Sequence, residues 1–424
     1  MMKSVFRLAL FLSVALLALS LCSCGMGSGD GGGEYYAGTA GGASSDSSDG
    51  SANATETVAL PSGMITAGAW NDNEQYTVWR SLFSQGTGEG GADGKFYEYT
   101  VGDASWGFHS LKRVKVTVKR DGEAVAGASV VARAADGAPL FSAVTDACGV
   151  AYLFPTADAG TVLASSGGAT AEATFGTEER DLTLALSAAD EKRNVIEIMF
   201  VVDVTGSMGD EIRFLKAELA DVIARIAEND ESALIKLALL FYRDTDDRVP
   251  FEYYDFVDVT ADTGMAAQQA ALSSQSADGG GDYPEAVDEA LALAVGKQWS
   301  TGATTKLIFH VLDAPAHEET PHRQKLESAV RTAAEKGIRI CPVLCSGAAE
   351  LTEYTMREAA IYTGGTFIFV TNDSGIGGDH HDPGLPNATV ELLNSMLVRL
   401  VKGYHTGEFD PPVYWQEDPA LHRE

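Results

Sequence analysis

The spacing of apolar residues changes along the chain, and the clearest pattern begins after Lys192. From there, short continuous apolar runs alternate with stretches in which apolar residues recur every three or four positions. Continuous runs are typical of strands buried on both faces, whereas the wider spacing is typical of helices. Repeated strand–helix alternation predicts an α/β fold, a doubly wound and mainly parallel sheet with helices on both faces.

The expected strands and helices can be placed along this region. The strands are predicted at 195–202, 234–242, 251–259, 307–312, 338–344 and 366–370. Helices are predicted to carry the apolar face 212–226 and to span 285–295, 325–335, 350–362 and 390–401. The strand at 251–259 is less apolar, which suits a sheet edge. Pro342 cannot donate a ladder hydrogen bond, so we expect an irregularity in its strand.

Residues 112–188 show a different pattern, in which apolar and polar residues alternate at Val114, Val116 and Val118 and a turn follows at Asp121-Gly122. Alternation of this kind predicts short strands with one buried face. The stretch 121–128 and the later segments 145–146 and 149–153 resemble carboxypeptidase-regulatory-like and bacterial Ig-like domains. The resemblance implies a small β-sandwich that presents other domains. The segments 59–111 and 404–424 suggest no function.

The first residues read as an export signal. Lys3 and Arg7 precede an apolar run at 8–21, which is too short to span a membrane as a helix. The next residues, Leu21-Cys22-Ser23-Cys24, resemble a bacterial lipobox. That resemblance implies a signal peptide at 1–23, a lipid on Cys24 and attachment to the cell envelope or surface. The alternative is an ordinary secretory signal that is cleaved nearby. Residues 24–58, rich in Gly, Ser and Asp, predict a flexible tether.

The charge balance limits the classes of partner. The chain has 60 acidic and 30 basic residues and a formal net charge of −30. Such a chain repels polyanions, so we expect no nucleic-acid binding, and contact with the membrane only through the lipid. A cation is the more suitable ligand. Cysteine spacing gives neither a zinc site nor a disulfide framework, and Cys341 and Cys345 are too far apart along one strand to pair.

Oxygen-bearing side chains follow two of the predicted strands. Asp203, Thr205 and Ser207 come directly after the first strand, and Asp313 follows the strand at 307–312. If the strand order is 3-2-1-4-5-6, these strands are neighbours and ligands gather at their carboxyl ends. Alternate residues of an extended loop point the same way, so their oxygens can surround one hard divalent cation.

The sequence Asp203-Val204-Thr205-Gly206-Ser207-Met208 resembles the signature of von Willebrand factor type A domains, and the resemblance extends over 193–403. In that family the signature forms a metal-ion-dependent adhesion site. The resemblance implies that Thr205 and Ser207 bind Mg²⁺, or Mn²⁺ or Ca²⁺, directly. It implies that Asp203 and Asp313 bind the ion directly or through water.

The loop Gly279–Glu285 departs from the commoner family pattern, in which a threonine occurs there. It resembles a GGGDxPE variant, which makes Asp282 a candidate metal ligand. Asp282 and Glu285 also have the spacing of a capping box, and Pro284 suits a first helical turn. Both interpretations remain open at this stage. A third carboxylate would leave less positive charge on the ion, and this weakens the inference that an acidic partner group completes its coordination.

The resemblance implies a non-enzymatic surface lipoprotein that binds a protein partner of unknown identity through the cation. One alternative is a Mg²⁺-dependent phosphoryl hydrolase using Asp203, although such enzymes have a second Asp where this chain has Thr205. Another alternative is a structural scaffold with a degenerate metal site. His310 is expected to be a core residue, and His317 and His322 are expected to lie in solvent.

Overall fold

The computed structural model describes residues 64–84, 94–281, 283–374, 380–385 and 388–422. These residues belong to the unit Thr57–Glu424. None of the helices in these ranges is long and apolar enough to cross a membrane. The predicted signal peptide, Cys24, the tether and Asp282 lie outside the described residues.

The N-terminal half is built from short strands. It contains β1 Thr66–Trp70, α1 Tyr76–Ser81, β2 Val114–Arg120, β3 Glu123–Ala124, β4 Ser129–Arg133, β5 Pro139–Val144, β6 Val150–Leu153, β7 Gly160–Ser166, β8 Ala169–Phe175 and β9 Asp181–Ala185. One sheet has the order β3-β2-β6, with β9 beside β2, and the other has the order β5-β4-β7-β8. Their alternating apolar residues share one core, which confirms the predicted β-sandwich-like fold.

The C-terminal half alternates strands and helices as predicted. Its elements are β10 Val195–Asp203, α2 Gly209–Asn229, β11 Leu234–Tyr242, β12 Phe251–Asp258, α3 Asp262–Ser273, α4 Val287–Gly296, β13 Thr305–Leu312, α5 Thr320–Lys336, β14 Ile338–Leu344, α6 Glu350–Thr363, β15 Phe367–Val370, β16 Glu391–Leu392 and α7 Leu393–Thr406. The helix α3 was not predicted, because its small residues give it a weak apolar face.

The sheet of this half has the order β12-β11-β10-β13-β14-β15-β1-β16. Its first six strands therefore follow the expected order 3-2-1-4-5-6, and the strands from β11 to β15 in that order are parallel. The less apolar β12 is antiparallel and forms one edge. All residues of β10, β13 and β14 are buried, because helices cover both faces.

The strand β14 is regular, so the irregularity expected at Pro342 was wrong. Its pairing with β13 continues without a shift from Lys306↔Ile338 to Leu312↔Leu344. On its other side, pairing with β15 begins only at Val343. The missing N–H of Pro342 therefore interrupts no ladder between these strands.

The segments 66–84 and 94–113 pack against the α/β half. β1 extends the sheet by pairing antiparallel with β15. Further along, Trp79, Phe96 and Trp106 are buried, and every residue of α6 from 352 to 363 is buried as well. A helix that would otherwise face solvent is thus covered by a region to which the sequence assigned no function.

A buried ion pair links the segment that contains Asp72 to the helix α6. The guanidinium of Arg357 donates to Asp72 at 2.5 and 2.9 Å and to Glu353 at 2.8 Å, and all three side chains are almost completely buried. Burial removes the hydration of these charged groups, so each depends on its ion-pair partners for stabilisation. Lys95 adds a second cation, 2.6 Å from Glu353.

We predict that Arg357→Met destabilises the protein strongly. The substitution preserves most of the side-chain volume but leaves the buried Asp72 without its cation and removes one of the cations beside Glu353, which costs about 3–5 kcal/mol. Urea unfolding measures the change. The matched control is Lys402→Met, which removes a partly exposed pair with Asp410 and is expected to cost about 0–1 kcal/mol. Equal effects of the two substitutions would contradict the prediction.

Candidate metal centre

Parallel pairing brings the ends of β10 and β13 to the same edge of the sheet. The register runs from Ile196↔Thr305 to Val202↔Val311, so Asp203 and Asp313 both emerge just beyond the last pair. The two carboxyl groups are close enough that the charge of Asp313 raises the pKa of Asp203. The predicted strand order put Asp203 and Asp313 close together for the same reason, because neighbouring parallel strands end at the same edge of the sheet.

Hydrogen bonds link each carboxyl group to one of the two predicted hydroxyl ligands. Asp203 Oδ1 accepts the backbone N–H of Thr205 at 2.9 Å and the Thr205 hydroxyl at 2.7 Å. The hydroxyl of Ser207 hydrogen-bonds Asp313. The structure therefore brings Asp203, Thr205, Ser207 and Asp313 into one site.

Burial dominates the electrostatics of the pair. It raises the pKa of Asp203 to about 7, with a further contribution from Asp313, while the hydrogen bonds from Thr205 oppose the shift. Burial also raises the pKa of Asp313, against the hydrogen bond from Ser207. The chain thus places two carboxyl groups where neither is easily ionised without a compensating positive charge.

Glu285 joins this site, although the sequence suggested only a capping role for it. Its side chain is 4% exposed, and burial together with the charge of Asp203 raises its pKa to about 9. The capping-box interpretation was wrong, because α4 begins only at Val287 and its N-cap is Ala286. Asp282, the other residue of that box, cannot be placed, since it lies outside the described residues.

Backbone contacts hold the glycine-rich loop against the site. The N–H of Glu285 donates to the carbonyl of Pro315 at 3.0 Å, just after Asp313. Gly280 has a φ of +75°, and a Cβ on it would lie 2.8 Å from Glu285 Oε1 and 3.3 Å from the Cβ of Thr205. Glycine is therefore required at 280, because the loop approaches both side chains closely.

Two carboxylate oxygens in the site are buried without a hydrogen-bond partner among the described residues. They are Asp203 Oδ2 and Glu285 Oε2. A buried carboxylate oxygen that accepts no hydrogen bond is costly, and a bound cation would compensate for it. Carboxylate and hydroxyl oxygens are the donors preferred by Mg²⁺, Mn²⁺ and Ca²⁺, so these residues fit a hard divalent cation.

The neighbouring loop adds further negative charge. Asp244 and Asp247 both raise the pKa of Glu285. Asp244 is buried, and its Oδ1 lies 2.9 Å from His317 Nε2. Asp247 accepts the N–H of Gly280 at 3.0 Å and so connects this loop to the glycine-rich loop.

The histidines near the site are paired, and none of the three is a solvated loop residue. His310 is fully buried beside the Tyr242 hydroxyl at 3.2 Å, and burial lowers its pKa to about 3, as expected for a core histidine. His317 and His322 were expected in solvent, but they contact Asp244 and Asp288. Their own loop could not reveal these contacts, which are made by other elements.

Asp288, Glu289 and His322 form a second group whose ligand atoms lie within 4.8 Å of one another. Lys325 reaches this group, with its ammonium 3.4 Å from Asp288 and 2.5 Å from Glu289. The chain itself therefore supplies the cation there. This group ties α4 to α5 through the ion pairs of Lys325.

Comparison with known proteins supports the fold. Residues 197–372 match the family model described as von Willebrand factor A domain. Curated proteins gave no match. Among solved structures, the pilus adhesin SpaC from Lactobacillus rhamnosus GG is similar at 10% identity and a TM-score of 0.33, over 49% of this chain and 30% of the adhesin. The chain thus spans about a third of that protein's length.

Two other similar structures come from Bacteroides. BatB from Bacteroides thetaiotaomicron is 16% identical with a TM-score of 0.32, over 49% of this chain and 98% of that one. An aerotolerance-related membrane protein from Bacteroides fragilis NCTC 9343 is 15% identical with a TM-score of 0.29, over 42% and 94%. At these identities and TM-scores the neighbours support no inference about function.

We predict that Asp203→Asn stabilises the metal-free protein at alkaline pH. The carboxyl pKa is about 7 in the folded chain and about 3.9 in the unfolded chain. The folded state therefore binds more protons than the unfolded state at pH values between about 4 and 7. Stability contributed by this group is therefore lost as pH rises from about 4 to 7. Asparagine keeps the acceptor for Thr205 but cannot ionise, so this loss of stability does not occur. The free energy of unfolding at pH 8 should therefore rise by on the order of 3 kcal/mol.

Urea unfolding in the presence of EDTA at pH 8 and pH 4 measures this difference. The gain is expected at pH 8 and should largely disappear at pH 4, where the native carboxyl group is protonated. Asp136→Asn, an exposed change in the β-sandwich, serves as the control and should have no effect at either pH. A variant that is less stable than the native protein at pH 8 would contradict the prediction.

Proposed function

Since residues 197–372 form a von Willebrand factor A domain, we propose that the chain binds a protein partner through a divalent cation. The ion is Mg²⁺, for which Mn²⁺ or Ca²⁺ can substitute. Its ligands are Asp203, Thr205, Ser207 and Asp313, with Asp282 as a further candidate. The partner reaches the ion at the carboxyl edge of the sheet.

This proposal rests on two buried carboxylate oxygens that have no hydrogen-bond partner in the part of the chain that the structure describes. Asp203 and Glu285 lie on separate elements, yet each has a buried oxygen without a partner among the described residues, and the charge of Asp203 raises the pKa of Glu285. A fold that served only to pack these residues would gain by replacing them with neutral side chains. Their presence is explained if a dication offsets the charge, and Glu285 then acts as an additional ligand.

Binding of the ion should release protons near neutral pH. Without metal, Glu285 has a pKa of about 9 and Asp203 one of about 7, so the site is partly protonated. A dication favours the ionised carboxylates, and its affinity should therefore rise with pH across this range. No catalytic step is proposed, because the role of the domain is to hold a partner.

The proposed location is the cell envelope or surface. Cys24 would carry the lipid after removal of the signal peptide 1–23, and residues 24–58 would hold the folded part away from the membrane. The sequence motif alone supports this part of the proposal.

We predict that Asp203→Asn and Asp313→Asn each lower Mn²⁺ affinity at least tenfold, or about 1.4 kcal/mol, because each removes a charged ligand. Isothermal titration calorimetry of the purified protein measures the affinity. Asp136→Asn should leave it unchanged. Since Asp203→Asn is expected to be folded and stable, loss of binding cannot be attributed to unfolding. Absence of Mn²⁺ and Mg²⁺ binding by the native protein would contradict the proposal.

The same samples distinguish an ion that is required for partner binding from an ion that only stabilises the loops. Partner capture from cell-surface extracts is expected to require the cation and to fail with EDTA. If chelation lowers the melting temperature but leaves capture unchanged, the ion only stiffens the loops and the binding role is wrong.

We predict that Cys24→Ala moves the protein from the membrane fraction to the soluble fraction when the full chain is expressed in a bacterial host. Without the thiol no lipid can be attached. Cys22→Ala is the matched control, since Cys22 lies within the proposed signal peptide, and it should leave the protein in the membrane fraction. Membrane retention of the Cys24 variant would contradict the lipoprotein assignment.

A further inference from the structure

Three hydrogen-bonded side chains lie at the carboxyl edge of the sheet, beyond β14 and β15. Ser346 follows β14, and its Oγ lies 3.0 Å from Nε2 of His380. Nδ1 of the same imidazole lies 3.0 Å from Oδ1 of Asn372, which follows β15. A hydroxyl, an imidazole and a group that orients the imidazole, each within hydrogen-bond distance of the next, form the arrangement that activates a serine as a nucleophile.

The hydrogen bonds of Asn372 determine the tautomer of His380. Oδ1 of Asn372 accepts the backbone N–H of His380 at 3.0 Å and also faces Nδ1 of its ring. Because an amide oxygen can only accept, Nδ1 of the neutral imidazole carries the proton and Nε2 presents its lone pair to Ser346. The imidazole is therefore held in the tautomer that a general base requires.

Glu211 is the other group beside the serine hydroxyl. Its Oε1 lies 3.1 Å from Oγ of Ser346, its side chain is 5% exposed, and burial raises its pKa. In the neutral form the carboxyl group donates a hydrogen bond to Oγ, so the hydroxyl proton remains directed to His380. The contact with Glu211 is thus compatible with an activated serine.

The serine lies beside open space. Ser346 and His380 are half-buried, and the next residue, Gly347, is exposed with a φ of +82°. Apart from its chain neighbours, a Cβ on Gly347 would have no heavy atom of the described residues within 4 Å. A substrate can therefore approach the turn that carries the hydroxyl.

A pocket of about 270 Å³ adjoins the imidazole. His380 and Asn372 line it, and apolar side chains at Phe369, Leu385 and Ala388 form part of its wall. A pocket of this size with both apolar and polar lining suits a small organic group rather than a polymer.

The helix α6 begins at Glu350, shortly after the serine, and no side chain caps its N-terminus. The first N–H groups of a helix have no partner within the helix, and this end of its dipole favours negative charge. The position of α6 therefore favours the charge that develops on a carbonyl oxygen when the serine attacks it.

We propose that Ser346, His380 and Asn372 form an acyl-transfer site that hydrolyses small carboxylic esters. Oγ of Ser346 forms a bond to the ester carbonyl carbon while Nε2 of His380 takes the hydroxyl proton. The bond to the alcohol oxygen then breaks, and His380 gives that oxygen the proton. Water, deprotonated by His380, cleaves the acyl-serine, which releases the carboxylic acid and restores the serine. Asn372 is a positioning residue.

This activity goes beyond the proposed function. None of the three residues is a proposed ligand of the cation, and no catalytic step is assigned to the metal centre. The experiments therefore use the purified protein in EDTA, so that a failure of metal binding and a failure of ester hydrolysis are observed separately.

A fluorophosphonate probe tests for the nucleophilic serine. Oγ of Ser346 is expected to displace fluoride from phosphorus, which gives one covalent adduct that peptide mass spectrometry locates. Ser346→Ala should form no adduct, whereas Ser232→Ala, which removes an exposed hydroxyl elsewhere, should react as the native protein does. Absence of an adduct from the native protein, or an adduct only at other residues, would overturn the inference.

Turnover of p-nitrophenyl butyrate separates catalysis from a structural role of these contacts. His380→Gln is expected to lower kcat by about 100-fold or more, because it removes the general base, while His109→Gln, an exposed control, should not. Asn372→Ala should lower kcat several-fold at unchanged KM, and Asn372→Asp, which keeps the acceptor, should restore most of it. Melting temperatures verify that each variant is folded. If folded Ser346→Ala and His380→Gln retain the native rate, the hydrogen bonds only hold the loops together and the inference is wrong.

Discussion

The parallel pairing of β10 with β13 is the constraint on which the site depends. Because the two strands run side by side in one register, their carboxyl ends place Asp203 and Asp313 at one point. Both carboxyl groups are buried, and burial raises the pKa of each. The fold therefore holds two like charges together at a free-energy cost, which a dication would offset.

The surrounding structure keeps this edge rigid. The sheet core on both faces consists of closely packed apolar residues, and the segments 66–84 and 94–113 add a strand and cover α6. The β-sandwich shares a core with the α/β half, and Arg339 donates to the carbonyl of Val144 at 3.2 Å. The loops at the carboxyl edge lie outside these contacts, at the place where a fold of this class binds its ligands.

Much of the architecture could be predicted from periodicity alone. The strand order and the positions of Asp203 and Asp313 follow from the spacing of apolar runs and from the topology of doubly wound sheets. Glu285 was missed because its position depends on a backbone contact with Pro315, far away in the sequence. The same reason explains why the pairing of His317 with Asp244 could not be foreseen. Local spacing suggested a cap and a solvated loop, and tertiary contacts overrode both.

Diffraction from a crystal soaked in Mn²⁺ tests the central claim most directly. An anomalous difference map should show one strong peak at the carboxyl edge of the sheet, within coordination distance of Thr205 and Ser207 and adjacent to Asp203, Asp313 and Glu285. A map without a peak there, or with a peak only at the group formed by Asp288, Glu289 and His322, would contradict the account.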